Sequence, residues 1–236
     1  MKIGEMMIKR ILLLSMLTIF CSVSDFSQET GVTAAINGGT MISAKIISAE
    51  DASKTALNLG AKMPAFSLKD ANGKLVESRN LLKQSNLVVV FYRGAWCPFC
   101  NLYLRKLQQN ASAIKENGGN LVAISVENPD NSLVISKKNE LDFTVLSDPN
   151  LAVARQFGIV YQLPAETDET YKTKYNLDIA KHNEMKKPEL PLSATYVINQ
   201  KGEIVYAFVE PDYKKRAEPQ AIIDSLAKIK RAAMNE

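Results

Sequence analysis

Leu87-Val88-Val89-Val90-Phe91-Tyr92-Arg93-Gly94-Ala95-Trp96-Cys97-Pro98-Phe99-Cys100 is the stretch that decides the fold of this chain. Its first six residues form an unbroken β-branched and aromatic run, which suits a strand covered on both faces and so central in a sheet. After the cysteines, Leu104, Leu107, Ala111 and Ile114 recur at helical spacing, and Gly118-Gly119 supplies a stop. The two cysteines therefore stand where a strand feeds a helix.

Working outward, Leu121 to Val126 is a second apolar strand that follows that helix within a few residues. Strand, helix and strand in this order predict a right-handed parallel crossover. Upstream, Pro64 to Leu68 alternates, Asp70-Ala71-Asn72-Gly73 has turn chemistry, and Lys74 to Glu77 returns, which makes a hairpin. Downstream, the pattern gives a helix from about Asn131 to Leu141 and a strand at Phe143 to Leu146. A short helix from Leu151 to Phe157 follows, ended by Gly158. Residues 165–190 are polar and charged and form an inserted excursion, helical in part. Ala194 to Ile198 and Glu203 to Val209 pair as a late antiparallel hairpin, and Pro219 to Ile229 closes the chain as an amphipathic helix. The alternation of elements specifies an α/β domain with a central mixed β-sheet flanked by helices, an N-terminal β-hairpin and the inserted polar segment near 165–190.

The N-terminus carries a separate message. Lys2, Lys9 and Arg10 precede the apolar run Ile11 to Phe20, and small and polar residues follow through Ser27. That order is a secretory signal peptide with cleavage between Ser24 and Gln28. The run is about half of the ~20 residues a bilayer span needs, so no stable membrane span is expected once the signal is removed. The expected organisation is a signal peptide at 1–27, a leader or N-terminal extension at 28–58, and one domain at 59–231. The expected location is periplasmic or extracellular. Lipid modification at Cys21 is the weaker reading, because the bulky Phe20 before it fits that processing badly.

Of three cysteines, Cys21 falls in the signal, which leaves Cys97 and Cys100 as the only thiols of the mature chain. Two cysteines separated by two residues at a helix start allow a disulfide, and the free N–H groups and helix dipole stabilise a thiolate. Pro98 suits the first helical turn, where its missing N–H costs nothing. Arg93, one turn upstream, is a candidate for steadying the thiolate and a departing oxygen, set against a solvated loop residue or a structural ion pair. A structural disulfide is the bland alternative, but a two-residue loop constrains an unfolded chain little. Zinc would need two more ligands, and His182, an exposed surface residue by its polar surroundings, is the one remaining candidate. Phe91, Tyr92 and Phe99 are expected to pack around the active helix, whereas Trp96, beside the thiol, also faces an incoming substrate.

Gly60 to Gly73, the segment Phe91 to Cys100, and Ala194-Thr195-Tyr196-Val197-Ile198-Asn199 followed by Gly202 resemble the alkyl hydroperoxide reductase and thiol-specific antioxidant (AhpC/TSA) branch of the thioredoxin-like superfamily. The resemblance runs from about Gly60 to Ile229 and implies a thioredoxin-like fold of the peroxiredoxin type. It also implies reduction of hydrogen peroxide and organic hydroperoxides at a thiolate, through a sulfenic acid and then a disulfide, with recycling by a thioredoxin-like donor. Where the family has Pro after Phe-Tyr, this chain has Arg93; where it has Thr three positions before the peroxidatic cysteine, this chain has Cys97. Ungapped alignment thus gives the peroxidatic role to Cys100, whereas a thioredoxin-like reading makes Cys97 the nucleophile and Cys100 the resolver. The family's second arginine falls near Ser193, with Arg216 or Arg155 as substitutes. Ser193 also takes the place of the usual cis-proline, two residues after Pro191.

A thiol peroxidase is accordingly the leading expectation, with an exported thiol-disulfide oxidoreductase acting on protein disulfides as the alternative. A redox-sensing or binding module is the non-enzymatic reading. Nothing in the pattern calls for a cofactor or a metal: there is no glycine-rich phosphate loop, no Gly-x-Ser-x-Gly elbow and no dense ligand cluster. With 29 Lys and Arg against 25 Asp and Glu, scattered along the chain, no nucleic-acid partner is expected.

Overall fold

The computed structural model describes residues 47–234. The expected signal peptide and most of the 28–58 leader lie outside the described residues. In chain order the elements are α1 (Ala49–Thr55), β1 (Ser67–Asp70), β2 (Leu75–Glu77), α2 (Ser78–Gln84), β3 (Asn86–Phe91), α3 (Pro98–Gln109) and α4 (Ala111–Glu116). There follow β4 (Gly119–Ser125), α5 (Pro129–Lys138), β5 (Thr144–Ser147), a 3₁₀ turn at Pro149–Leu151, α6 (Ala152–Gln156) and β6 (Val160–Gln162). The last are α7 (Ala165–Tyr175), α8 (Ile179–His182), β7 (Glu189–Pro191), β8 (Ser193–Ile198), β9 (Ile204–Glu210) and α9 (Pro219–Met234).

Seven strands form one mixed sheet in the order β2-β1-β5-β4-β3-β8-β9. The expected parallel crossover is present, since β3 pairs parallel with β4 from Asn86↔Gly119 to Phe91↔Ile124, and β4 pairs parallel with β5. Both hairpins are antiparallel, β1 with β2 and β8 with β9. β3 is central, and its residues Leu87 to Phe91 are each at most 1% exposed. They alternate between two cores. Leu87, Val89 and Phe91 pack with α1 and α6, whereas Val88 and Val90 pack with residues of α3, α4 and α9. Burial on both faces is what an unbroken Val run is for, at about 1.5–3 kcal/mol per fully buried aliphatic side chain.

Three features depart from the sequence reading. The single helix expected after the cysteines is two, broken at Asn110, whose side chain turns back to accept no helix proton and instead donates to the Lys106 carbonyl. Gly119 is the first residue of β4 rather than a helix stop, and Gly118, at φ +79°, ends α4 alone. α1 belongs to the packed body: Ala52 and Ala56 are buried in the core, and the Leu57 N–H donates to the Phe157 carbonyl. Gly158 sits where a side chain would run into the Thr55 carbonyl, at φ +71°, so a glycine is what lets α1 close on this part of the chain.

The inserted segment is anchored at its neck by β6 and β7, which pair antiparallel from Val160↔Pro191 to Gln162↔Glu189. Between them α7 has no buried residue, ends at Asn176 in the left-handed conformation, and gives way to α8. The insertion is helical in part, as its composition indicates. Among the described residues no helix is long and apolar enough to cross a membrane.

Candidate active site

β3 ends at Phe91, and the chain then runs through Tyr92, Arg93 and Gly94 to the N-terminus of α3, where Cys97 is the N-cap residue and Pro98 opens the first turn. Gly94 has φ +149°, and a Cβ there would strike the Trp96 indole and lie 3.1 Å from Glu127 Cδ. A glycine is required for the loop to fold this tightly over the cysteines. The loop is stapled from below by Asn101, whose amide donates to the Ala95 carbonyl at 2.6 Å and the Cys97 carbonyl at 3.0 Å. Asn139 of the α5 terminus donates to Asn101 in turn, at 3.1 Å.

Both thiols are free and buried, Cys97 at 1% and Cys100 at 0% exposure. They are not equivalent. The Cys97 thiol is drawn down to about 6, because a hydrogen bond from the Cys100 thiol outweighs its own burial, with Arg93 and, less strongly, the Cys100 N–H and Arg216 adding to the effect. As a thiol Cys97 caps no N–H of α3; as a thiolate it draws on those at the helix start. Burial pushes the Cys100 thiol well above its ordinary value. Cys97, not Cys100, also lines a cavity of about 400 Å³ together with Arg93, Trp96, Phe99, Tyr171 and Tyr213.

Arg93 is not a solvated loop residue, and among the described residues it is not half of an ion pair. It is 1% exposed, and its guanidinium carbon lies 4.0 Å from the Tyr213 ring centroid, 4.8 Å from Trp96 and 5.7 Å from Tyr171. Its Nη2 donates to the Tyr171 hydroxyl oxygen at 2.6 Å, whereas Nε and Nη1 are buried with no partner among the described residues. Trp96 is half-buried, its ring edge-on to Tyr171 at 5.7 Å, on the wall of the same cavity. The sequence-predicted residues Arg93, Trp96 and Cys97 thus meet at one cavity, with Cys100 behind them.

The two arginines considered for the Ser193 position separate cleanly. Arg216 Nη2 donates to Cys100 Sγ at 3.5 Å, whereas Arg155 is paired with Glu189 at the insertion neck. Ser193 opens β8 with its hydroxyl buried, and Pro191 is the last residue of β7.

Tyr171, Tyr213 and Glu127 were not legible as site residues. Tyr171 stands on α7, 78 residues from Arg93, and Tyr213 follows β9. The signal for Tyr171 was its pairing with Tyr175 on an otherwise polar helix. Glu127, fully buried after β4, accepts the Ala95 N–H at 2.6 Å with one oxygen and faces His182 Nε2 at 2.9 Å with the other. His182 is therefore not the exposed surface residue its neighbours suggest. It ties α8 of the insertion to the loop that carries Cys97.

The hydrogen bond to Glu127 raises the His182 pKa. A raised imidazole stabilises docking of the insertion fully below the ordinary value of ~6.5, and that contribution is lost as pH rises through the raised one. Limited proteolysis within 165–190 is expected to quicken over that rise. Glu127→Gln should flatten the pH dependence, since its amide binds either imidazole form; an unchanged profile in that variant would count against the tie.

The AhpC/TSA family model matches residues 59–207. The chain belongs to the AhpC/TSA family. A chloroplastic peroxiredoxin Q of Populus jackii is 28% identical over 173 residues, covering 73% of this chain and 68% of that protein. The peroxiredoxin Bcp of Escherichia coli strain K12 is 33% identical over 103 residues, which are 44% of this chain and 65% of that one, just under two thirds of its length. The crystal structure of peroxidoxin BcpB from Mycobacterium tuberculosis has the same fold, at a TM-score of 0.59 and 20% identity over 73% of this chain and 98% of the other. The AhpC/TSA protein is thus a peroxiredoxin-like oxidoreductase with the thioredoxin-like arrangement that the resemblance implied.

Proposed function

We propose that the protein is a thiol peroxidase in which Cys97 attacks the hydroperoxide and Cys100 resolves the product. The observation that carries this reading is the pairing, in one cavity, of a cysteine drawn down to about 6 with a buried guanidinium whose Nε and Nη1 have no partner. Two unspent N–H donors beside a thiolate suit the oxygens of a peroxide, and they strengthen as charge develops on the departing oxygen. Family membership supports the same chemistry, since the relatives are peroxiredoxins.

In the proposed cycle the Cys97 thiolate forms an S–O bond to the terminal peroxide oxygen and the O–O bond breaks. Sulfur is oxidised by two electrons to the sulfenic acid, and the peroxide leaves as an alcohol or water after gaining a proton. The Cys100 thiol then attacks Cys97 Sγ; an S–S bond forms, the S–O bond breaks, and water leaves. A dithiol donor of the thioredoxin kind returns the pair to thiols by exchange. NADPH-coupled consumption of hydrogen peroxide and cumene hydroperoxide with a thioredoxin system tests this. Rates equal to those of a Cys97→Ser, Cys100→Ser double variant would overturn it, and turnover of a protein disulfide under the same conditions would favour the exchange activity instead.

A further inference from the structure

The O–O bond cannot break cheaply unless the departing oxygen receives a proton, and neither cysteine supplies one at that moment. Cys97 enters as the thiolate, and Cys100, aimed at Cys97, lies behind it with Arg216 Nη2 on its sulfur. Three tyrosines line the cavity, Tyr171, Tyr175 and Tyr213, and of their hydroxyls the one hydrogen-bonded to the guanidinium is that of Tyr171. Tyr171 Oη is 2.6 Å from Arg93 Nη2 and accepts from it, which leaves the phenolic proton uncommitted among the described residues. Cys97 and Tyr171 line the same cavity, and Arg93 stands beside both.

We propose that Tyr171, supplied by the inserted helix α7, is the general acid that protonates the leaving oxygen of the hydroperoxide. This rests on attack by Cys97 as set out above. The guanidinium fixes the phenol oxygen with one N–H and keeps Nε and Nη1 for the peroxide, so the acid and the oxyanion donors share one rigid fork. In the step, the Cys97 thiolate takes the terminal OH of ROOH and becomes the sulfenic acid, while the O–O electron pair leaves on RO. That oxygen takes the Tyr171 proton and departs as ROH. The phenolate, held by Arg93, regains a proton from water before the next turnover. Phenols are stronger acids than alkanols or water, so the transfer runs downhill. Trp96 edge-on to Tyr171 and the Tyr175 ring 6.1 Å beyond it hold the phenol in place from the apolar side.

The insertion then has a catalytic reason to lie over the site. α7 has no fully buried residue, and Tyr171 is its one side chain that packs against the core. It brings to the cavity the hydroxyl that the guanidinium holds.

The test is Tyr171→Phe, followed by stopped-flow through Trp96, the one tryptophan of the chain, one residue before Cys97. Substrates differ in what leaves: tert-butyl hydroperoxide expels an alkoxide, which needs a proton, and peracetic acid expels acetate, which does not. The variant is expected to slow by about 10²-fold or more with tert-butyl hydroperoxide and by no more than about threefold with peracetic acid. If Tyr171 only positions Arg93 or the insertion, both substrates slow together, and that result overturns the proposal. A wild-type chain that reacts with neither substrate faster than Cys97→Ser would instead remove the peroxidase reading itself.

Discussion

Cys97→Ser is expected to lower hydroperoxide consumption by on the order of 10³-fold or more, to the rate of a chain without either thiol, as loss of a nucleophile does. Cys100→Ser should behave differently. It keeps a hydroxyl that can donate to the Cys97 thiolate, so one equivalent of peroxide reacts per chain and the sulfenic acid then accumulates for want of a resolver. A sulfenic-acid reagent applied after brief peroxide treatment should label Cys100→Ser and leave Cys97→Ser blank. The reverse pattern would give the attack to Cys100, the position the family alignment favours, and would mean that proximity to Arg216 outweighs burial there. The pH profile carries the same information. Because the Cys97 thiol is drawn down to about 6, its thiolate is present above that value and lost below it. The second-order rate should therefore be flat in the neutral range and fall as pH drops through 6. Cys100→Ala removes the donor most responsible for the shift, and the midpoint should move up toward that of an ordinary thiol.

What the chain discloses by itself is decided by range. The central strand was readable because every residue from Leu87 to Phe91 is buried, so composition alone marks it. The cysteines at a helix start were readable because Pro98 and the Leu104 and Leu107 spacing are local. Sulfur asymmetry was not, since it depends on Arg93 and Arg216 reaching the pair from opposite sides in sequence, and on which thiol faces the cavity. Glu127, Tyr171 and Tyr213 stand 27 to 116 residues from the cysteines in sequence, and only the parallel register of β3 on β4 and the return of the insertion bring them in. His182 shows the limit well. Its neighbours are Lys181 and Asn183, which suggest solvent, yet its ring nitrogen reaches a fully buried carboxylate.

Arg93→Met separates chemistry from packing more sharply than any change at the sulfurs, because the two effects are expected to carry opposite signs. A buried guanidinium with two nitrogens, Nε and Nη1, unpaired is a cost to the folded state, offset in part by the three rings around it. Methionine keeps most of the volume and removes that cost, so the variant should be as stable as the parent or more so, read as an unchanged or higher denaturation midpoint in urea. Reactivity should fall by about 10²–10³-fold with hydrogen peroxide, the range for losing a donor aimed at developing oxyanion charge. The Cys97 midpoint should also rise, since one of the charges that draws it down is gone. A structural ion-pairing role predicts the contrary, a less stable protein with near-normal reactivity toward peroxide. Arg93→Lys refines the result: it restores charge near the thiolate but not the planar fork, so it should recover the midpoint more fully than the rate. A rate restored in full by lysine would show that charge alone, and not the Nε and Nη1 geometry, is what the buried arginine supplies.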